Sequence, residues 1–355
     1  MGRIVRWAWC RFFICMAMQL PLSFWVMVEG GHANPTGADA PAASGVQTVY
    51  QAISTHVKGT VTLAAGVRCD ELDWNIAGNA GGTHPNVLSE LAWSDVESYQ
   101  LSLGAKAQVG RHFYGRGHIN YAWIDDGTVR DSDYGGDDRT LEWSRSISET
   151  NDDELWDVML GGGYPFTFQQ RRWLLAPMLG ASFHKQNLRI TNGDQVLSAV
   201  PPPGYSPPPE VGPLNRNLNS LYEAFWMSAW TGLDVRYQLP AKSDTAPFME
   251  WGVSLAYHFW ADYEAEANWN LREDLDHPVS FRHEADATGI SLQAEWLIRL
   301  NRYLNLNLNY NYCRWETDPG QNTVYFAAGG HQVTRLNEVN WDSQSIMLGL
   351  ALRFQ

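Results

Sequence analysis

Hydrophobic and polar residues alternate almost strictly near the C-terminal end of the chain. Residues 304–313 read L-N-L-N-L-N-Y-N-Y-C, so apolar or aromatic residues take every second position, and the residues between them are asparagines except the last. Successive side chains of a β-strand point to opposite faces, so this segment has one apolar and one polar face. A second segment repeats the pattern with Ile346, Leu348, Leu350, Leu352 and Phe354. Two such strands in succession predict a transmembrane β-barrel.

About ten alternating segments follow one another from residue 60 onwards. Their approximate bounds are 60–76, 86–109, 111–128, 139–164, 172–191, 218–239, 247–265, 282–300, 302–317 and 335–354. Several exceed the roughly 10 residues that a strand needs to cross a bilayer. The predicted fold class is therefore all-β, a transmembrane antiparallel β-barrel of about ten strands with an extended extracellular crown.

The connections between these segments alternate in length. Those after even-numbered segments are short, whereas those after odd-numbered segments are long: 77–85, 129–138, 192–217, 266–281 and 318–334. Transmembrane barrels have short periplasmic turns and longer extracellular loops, so both termini are expected on the periplasmic side. Amphipathic helices are disfavoured because the apolar period is two. A soluble β-sandwich would also explain the alternation, but not the loop asymmetry, the N-terminal segment and the terminal Phe354 together.

The N-terminal segment predicts export. Three arginines precede an apolar stretch from Phe12 to Val28, and Gly31 and Ala33 supply small residues for cleavage. Residues 1–33 are predicted to be a signal peptide, residues 34–58 a periplasmic lead-in, and residues 59–355 the barrel. A transmembrane anchor is the alternative, although no other segment reaches the ~20 apolar residues required. The expected location is the outer membrane.

Charge and cysteine content limit the partners and cofactors. Without residues 1–33 the chain keeps 22 Lys and Arg against 38 Asp and Glu, a balance that disfavours nucleic acid. Outer-membrane lipid, including lipopolysaccharide, is an expected partner, and basic peptides or host surface ligands are further candidates. Cys69 and Cys313 fall on opposite faces of their strands, so no disulfide between them is predicted. No zinc or redox spacing occurs, and neither a metal nor another cofactor is expected.

Aromatic residues and prolines mark two further features. The chain has 17 Trp and 15 Tyr, several at predicted strand ends where barrels carry interfacial girdles. The candidates are Trp93, Trp123, Trp143, Trp156, Trp173, Trp251, Trp296 and Trp341, of which some must pack in the lumen or crown.

The 192–217 loop holds two proline triplets, which favour extended polyproline geometry and indicate a spacer or a peptide-binding segment.

Asp131 and Asp133 form the candidate chemical site. They are two residues apart, so on an extended strand both carboxylates face the same side. Two carboxylates so close repel each other, and one should hold its proton more tightly, which suits a pair that polarises water. The pair could also bind a hard cation such as calcium, or form an acidic solvated turn.

Three short motifs occur in an order that resembles a known family. They are S-E-L-x-W at 89–93, D-S-D-Y at 131–134 and D-R-T-L-E at 138–142. Together with the ten-strand layout they resemble the omptin outer-membrane proteases, and more so the omptin-like Protochlamydia outer membrane protein family. The resemblance implies that Asp131 and Asp133 match the omptin aspartate pair, which holds the attacking water together with an Asp-x-His pair near the end of the seventh strand.

That second pair is not matched in this chain. The corresponding stretch carries Glu264, Glu266 and Asn268, so a general base is missing. His277, in the following loop, could fold back over the cleft and act with Asp131, or it could be an ordinary loop histidine; His283 with Glu284 is another substitute. His258 has inward parity and is expected to hydrogen-bond within the lumen.

Two functions follow as hypotheses. The first is an omptin-like barrel with a structural, adhesive or ligand-binding role, because the scaffold is kept while the catalytic set is incomplete. The second is an omptin-type endopeptidase in which Asp131 and Asp133 activate water with a rearranged base. A small-solute channel is a weaker third class, because the lumen of a ten-stranded barrel can be filled by side chains.

Overall fold

The wall of the protein is a closed ring of antiparallel strands. The structure, a computed structural model, describes residues 57–169, 172–239 and 249–354, and contains no α-helix in these ranges. The strands are β1 (Val57–Ile76), β2 (Ser89–Val109), β3 (Phe113–Gly136), β4 (Thr140–Glu149), β5 (Glu154–Gly163), β6 (Phe166–Phe168), β7 (Trp173–Ser198), β8 (Gly212–Pro213), β9 (Ser220–Gln238), β10 (Met249–Asn268), β11 (Phe281–Arg299), β12 (Leu304–Thr317), β13 (Gly320–Tyr325) and β14 (His331–Phe354).

Ten positions around the ring agree with the predicted strand number. Each strand pairs with the next, β4 and β5 share the place between β3 and β7, and β1 pairs with β14 from Gly59 to Ile76 to close the cylinder. The short strands β6, β8 and β13 add hairpins at the ends. The predicted all-β antiparallel barrel is therefore confirmed. No helix in the described ranges is long and apolar enough to cross a membrane.

Several predicted boundaries were wrong. The segment 139–164 is two strands, interrupted at 150–153, and the connection 129–138 is not a loop. Strand β3 continues to Gly136 and turns into β4 through three residues, because Asp138 and Arg139 adopt positive φ angles of 56° and 58° that allow a tight turn. The predicted signal peptide and residues 34–56 lie outside the described residues.

The alternating side chains face as the sequence predicts. Asn305, Asn307 and Asn309 are buried in the lumen, whereas Leu308 on the outer face is 43% exposed. The amides form a ladder in which Asn309 Nδ2 donates to Asn307 Oδ1 at 2.9 Å. Asn307 Nδ2 in turn donates to Glu295 Oε1 at 3.0 Å. Buried amides are stable only when hydrogen-bonded, so this ladder fixes the asparagine face inward.

Charged side chains inside the lumen pair with each other. Arg116 Nε lies 3.0 Å from Asp234 Oδ1. Lys106 Nζ lies 2.6 Å from Glu295 Oε2. His258 has inward parity as predicted, with Nδ1 2.7 Å from Ser228 Oγ and Nε2 3.1 Å from Ser291 Oγ. These contacts form the polar network expected of a barrel lumen.

An aromatic core fills the lumen above this polar network. The rings of Trp226, Trp315 and Trp341 are fully buried, with centroids 5.6–6.1 Å apart. Two of the girdle candidates, Trp93 and Trp341, belong to this core, and Trp143 is also buried, so these three are among the candidates that pack inside the protein. The following members of the predicted set are exposed or half-buried: Trp123, Trp156, Trp173, Trp251 and Trp296.

Two β-bulges change which residues face the lumen. On β3, register shifts opposite Ser94–Ser98 move the inward series from even-numbered to odd-numbered residues. On β10, a shift between His258 and Ala261 makes the same change. An extra residue in one strand inverts the facing of every residue beyond it. We use the term crown for the part of the wall beyond these bulges, and turn end for the opposite end of the barrel.

Candidate functional site

The three sequence motifs meet in the β2–β3–β4 part of the crown. Glu90 from the first motif lies against Arg139 from the third, with Oε2 2.6 Å from Nη2, and also contacts Arg130. Asn86 holds the tight turn, because its Oδ1 accepts from the Asp138 backbone N–H and its Nδ2 donates to Asp138 Oδ1. Several motif residues therefore hold β2, β3 and β4 together.

Asp131 and Asp133 face the inside of the crown, at its upper rim. Their facing follows from the β3 bulge, because Val129, two residues earlier, is fully buried in the aromatic core. Trp93 pairs with Val129 across β2 and β3, one step below Asp131, so an apolar floor lies directly beneath the carboxylates. Both aspartates are half-buried. The structure thus brings the predicted pair together on one face.

Burial controls the protonation of this pair. It raises the pKa of Asp131 well above the usual range, and the neighbouring Asp133 carboxylate raises it further. Burial also raises the pKa of Asp133 to about 6, against the opposing effects of hydrogen bonds from Ser89 and Ser144 and of the Arg272 charge. The pair therefore keeps a proton in weakly acidic solution, where ordinary aspartates are ionised.

We expect the free energy of unfolding of the protein to fall as the pH rises from about 4 to about 6. The pKa of Asp133 is raised from 3.8 to about 6, so the folded state holds the proton more tightly and stabilisation from protonated Asp133 is lost between these values. Asp133→Asn cannot ionise. The free energy of unfolding of the variant should therefore rise relative to that of the parent between pH 4 and pH 7, as measured by urea titration. A variant whose free energy of unfolding fell relative to that of the parent over this pH range would contradict the raised pKa of Asp133.

Strand β10, on the wall across the lumen from the pair, carries alanines at its last two inward positions. Because of the β10 bulge, Ala265 and Ala267 face inward there, 0% and 1% exposed. Glu264, Glu266 and Asn268 belong to the outward series. Arg282, also outward, forms ion pairs with Glu264 and Glu266. Alanine offers neither a base nor a hydrogen bond to a water molecule.

His277 lies on the outer side of the crown. Its imidazole is exposed, and Nδ1 is 2.9 Å from Oδ1 of the outward-facing Asn268. Its backbone N–H donates to Asp276 Oδ1 at 2.8 Å. The charged groups that act on Asp131 are Asp133 and Arg272. A catalytic role for His277 would require the 269–280 loop to move, and it stays a prediction.

His283 faces inward but is sealed in the aromatic core. It is fully buried, its Nδ1 is 2.9 Å from Tyr222 Oη, and its ring centroid is 4.8 Å from that of Trp74. Burial lowers the pKa of His283 to about 3, so the ring is neutral. Trp93 stacks on Tyr222 at 5.2 Å, which joins opposite walls of the crown beneath the aspartates. Glu284, the predicted partner of His283, is exposed on the outer face.

Sequence reasoning missed four residues around the pair. Ser89 and Ser144 are the cross-strand partners of Asp133 on β2 and β4. Arg272 and Tyr205 come from separate loops and interact electrostatically with Asp133. Only strand pairing could have indicated the serines, and nothing in the local sequence indicated the loop residues. In the described ranges, no group of three or more His, Cys, Asp or Glu residues is placed to hold a metal ion.

Comparison with protein families gives one match. Residues 62–354 match the family described as Pom, Protochlamydia outer membrane protein. A comparison with curated proteins finds no match.

Solved structures of outer-membrane barrels are similar to this chain. The outer membrane protease OmpT from Escherichia coli has a TM-score of 0.65 at 11% identity, covering 84% of this chain and 97% of OmpT. The translocator domain of the autotransporter NalP from Neisseria meningitidis matches at TM-score 0.32 and 10% identity, over 87% of this chain and 93% of that one. OprG from Pseudomonas aeruginosa matches at 0.29 and 10%, over 84% and 98%. At these identities the OmpT likeness shows the fold alone, and the two lower scores carry no argument.

Proposed function

The chain belongs to the Protochlamydia outer membrane protein family, and from that premise we propose that it acts at the cell surface without hydrolysing peptides. It is an outer membrane β-barrel protein with an omptin-like fold. In this proposal the crown has a structural, adhesive or ligand-binding role, and both termini lie on the periplasmic side. A fold shared with a protease does not transfer its chemistry, which has to be argued from the site.

The observation that carries the proposal is the pair of inward-facing alanines on β10. A water molecule at Asp131 and Asp133 would need a second polar partner from the opposite wall to be held and deprotonated. Ala265 and Ala267 stand at the inward positions of that wall, and Trp93 and Tyr222 stack beneath the pair. The crown interior is therefore built as a packed apolar core.

The outer part of the crown supports a binding role. Val200 and Val211, at the two ends of the proline-rich part of the loop after β7, are 92% and 66% exposed, and Leu141 on the β3–β4 hairpin is 76% exposed. The loop is tied at its base, where Leu214 N donates to Gly193 O at 2.7 Å. These side chains are available for apolar contact with a partner at the outer end of the crown.

Endopeptidase activity is the second candidate, favoured by the protonation of the carboxylate pair. A carboxylic acid beside a carboxylate is the arrangement with which aspartic proteases activate water. In that case Asp131 and Asp133 would act with a base brought in by loop movement, and His277, exposed in the loop after β10, is the candidate for that base.

A peptide cleavage assay separates the two candidates. The refolded protein, in detergent with lipopolysaccharide, is incubated with a peptide library that includes paired basic residues, and products are followed by mass spectrometry. We expect no cleavage above that of the Asp131→Asn variant, because the inward positions of β10 across the lumen are the alanines Ala265 and Ala267.

One outcome of the same assay would contradict the proposal. Cleavage by the parent that Asp131→Asn abolishes would overturn the proposal. Loss of cleavage in His277→Ala as well would then identify His277 as the base. The matched control is His112→Ala at the turn end, which should keep its activity. Circular dichroism of each variant establishes that the barrel is folded.

A further inference from the structure

A chain of buried polar side chains runs round the inside of the barrel below the aromatic core. Its members come from five neighbouring strands, and the crown site includes none of them. They are, in order around the wall, Asp157 on β5, Ser182 and His184 on β7, Ser228 on β9, His258 on β10 and Ser291 on β11. The first five of these are between 1% and 7% exposed. We call this set the serine–histidine chain.

Five hydrogen-bonding contacts connect the members of this chain. In the order Asp157, His184, Ser182, Ser228, His258 and Ser291, the successive distances between polar atoms are 2.9, 3.0, 2.8, 2.7 and 3.1 Å. Groups within about 2.6–3.2 Å of each other can exchange a proton directly. One further contact, between His258 Nδ1 and Ser182 Oγ, is longer at 3.5 Å. The shorter contacts therefore form one continuous path.

The carboxylate at one end fixes the direction of the hydrogen bonds nearest to it. Ionised Asp157 can only accept, so His184 Nδ1 carries a hydrogen, and in the neutral ring Nε2 is an acceptor. Ser182 must then donate its single hydrogen to His184 Nε2. Because that hydrogen is used, Ser228 must donate to the Ser182 oxygen.

The same direction continues to the other end. The hydrogen of Ser228 points to Ser182, so the Ser228 oxygen has to accept and His258 Nδ1 is its donor. The neutral His258 ring then has an acceptor at Nε2, to which the Ser291 hydroxyl donates. Both histidines are therefore Nδ1–H tautomers, and every hydrogen of the chain points towards the carboxylate.

The carboxylate end of the chain has an excess of negative charge. Asp157 Oδ2 lies 2.5 Å from Arg68 Nη1, and Asp70 Oδ2 lies 2.8 Å from Arg68 Nε. Two buried carboxylates thus share one guanidinium. A proton on His184, whose Nδ1 is bonded to the other oxygen of Asp157, would balance the second carboxylate.

The rest of the surroundings of His184 are compatible with an imidazolium. Arg116 on β3, which lines the same cavity, is paired with Asp234 at 3.0 Å. The other titratable side chains that line this cavity are His118, His258, Tyr312 and Cys313. The ring centroids of Trp315 and Trp341 lie 5.1 and 5.3 Å from that of His184, within the roughly 6 Å over which an aromatic ring attracts a cation.

The far end of the chain meets a polar cavity. Ser291 and His258 line this cavity, whose volume is about 70 Å³, and a polar cavity of that size can hold water. A smaller cavity of about 30 Å³ shares His118 with it. Lys106 lines both the smaller cavity and one of about 80 Å³ beside the short turns. Water in these cavities would bring protons from the turn end to Ser291.

We propose that the serine–histidine chain is a proton relay that loads His184 from water in the lumen. Histidine is the side chain that gains and loses a proton near neutral pH, and two of them here are joined through hydroxyl groups. The relay couples the acidity of the lumen to a charge placed against the tryptophan rings of the core.

Each transfer in the relay breaks one bond to hydrogen and forms another. A hydronium ion in the cavity protonates the Ser291 oxygen, and the original Ser291 hydrogen passes to His258 Nε2. His258 Nδ1 releases its hydrogen to Ser228, Ser228 releases its own to Ser182, and Ser182 releases its own to His184 Nε2. The result is an imidazolium at His184 and an Nε2–H tautomer at His258, with every hydroxyl restored.

The test is ¹⁵N NMR of the refolded protein in detergent, with the histidine ring nitrogens labelled and the signals assigned through His184→Gln and His258→Gln. At about pH 8 both rings should be Nδ1–H tautomers. As the pH falls to about 4, His184 should gain a proton while the His258 hydrogen moves from Nδ1 to Nε2 at the same midpoint.

Three results of this titration would overturn the relay. They are a His258 ring that already carries Nε2–H at about pH 8, a His258 tautomer that stays unchanged while His184 is protonated, and a His184 ring that remains neutral down to about pH 4. The parent protein alone gives each of these results, so the test does not depend on the folding of a variant.

A pair of serine variants locates the path. Ser228→Ala removes the central hydroxyl, and the tautomer change of His258 should be lost. Ser254→Ala is the matched control, because Ser254 is 6% exposed and lines the same cavity outside the chain, and the tautomer change should be kept. Loss in both variants or retention in both would contradict the relay. None of these outcomes bears on the peptide assay, because the chain lies below the aromatic core and the aspartate pair above it.

Discussion

Replacing Trp226 with alanine is expected to lower the free energy of unfolding by about 3–5 kcal/mol. The Trp226 ring is fully buried, packs on Tyr263 with centroids 4.3 Å apart, and lies between Trp315 and Trp341. Its Nε1 donates to Gln186 Oε1 at 3.0 Å. Alanine would leave a cavity surrounded by rigid rings and an amide without its donor, so little relaxation can offset the loss.

Urea unfolding followed by far-ultraviolet circular dichroism measures this change without relying on tryptophan fluorescence. Trp123→Ala is the matched control, because Trp123 is 45% exposed on the outer face and leaves no internal cavity. The midpoint should shift strongly for Trp226→Ala and only slightly for Trp123→Ala, with the same slope. Similar shifts for the two variants would mean that the lumen is not packed as described.

Replacing Arg68 with methionine is expected to cost about 3–5 kcal/mol for a different reason. Arg68 is buried, with Nε 2.8 Å from Asp70 Oδ2 and Nη1 2.5 Å from Asp157 Oδ2. It also donates to Gln100 Oε1 at 3.3 Å. Methionine fills much of the space but leaves two buried carboxylates without their cation. Uncompensated buried charge is the source of the loss.

Two companion variants test this explanation by urea unfolding. Arg68→Met/Asp157→Asn removes one of the two carboxylate charges and should recover part of the stability that Arg68→Met loses. Arg314→Met breaks the pair between Arg314 and Glu316, whose side chains are about half exposed, and should cost about 0–1 kcal/mol. A double variant no more stable than Arg68→Met would indicate that packing, and not charge, sets the cost.

Alternation along the chain predicted the barrel because every residue of a strand must face either lipid or lumen. The asparagine series of β12 faces inward and forms a ladder, and the leucine series of β14 faces outward. Strand ends were predicted less well. Residues 129–136 read as an acidic loop, since Asp, Ser and Gly are poor strand formers, yet pairing with both β2 and β4 extends β3 through them.

The candidate site was predicted in part. The D-S-D spacing correctly put Asp131 and Asp133 on one face. The raised pKa of Asp133 depends on burial by β2, β4 and the loops that carry Tyr205 and Arg272, which are distant in sequence. The partners of a carboxylate are set by the strands on either side of it, and a single sequence does not give their register.

The sequence by itself determined the fold class, the number of strands around the ring and the polar character of the lumen, because a period of two gives each strand one apolar and one polar face, and the loop asymmetry and the N-terminal segment favour a barrel over a sandwich. Tertiary structure alone decided which crown residues meet across the lumen. One extra residue in β10, after His258, turns Glu264 and Glu266 outward and Ala265 and Ala267 inward. The register shift on β3 turns Asp131 and Asp133 inward. A bulge is an arrangement between two strands, so its position is fixed by their pairing, and a single sequence does not give that pairing.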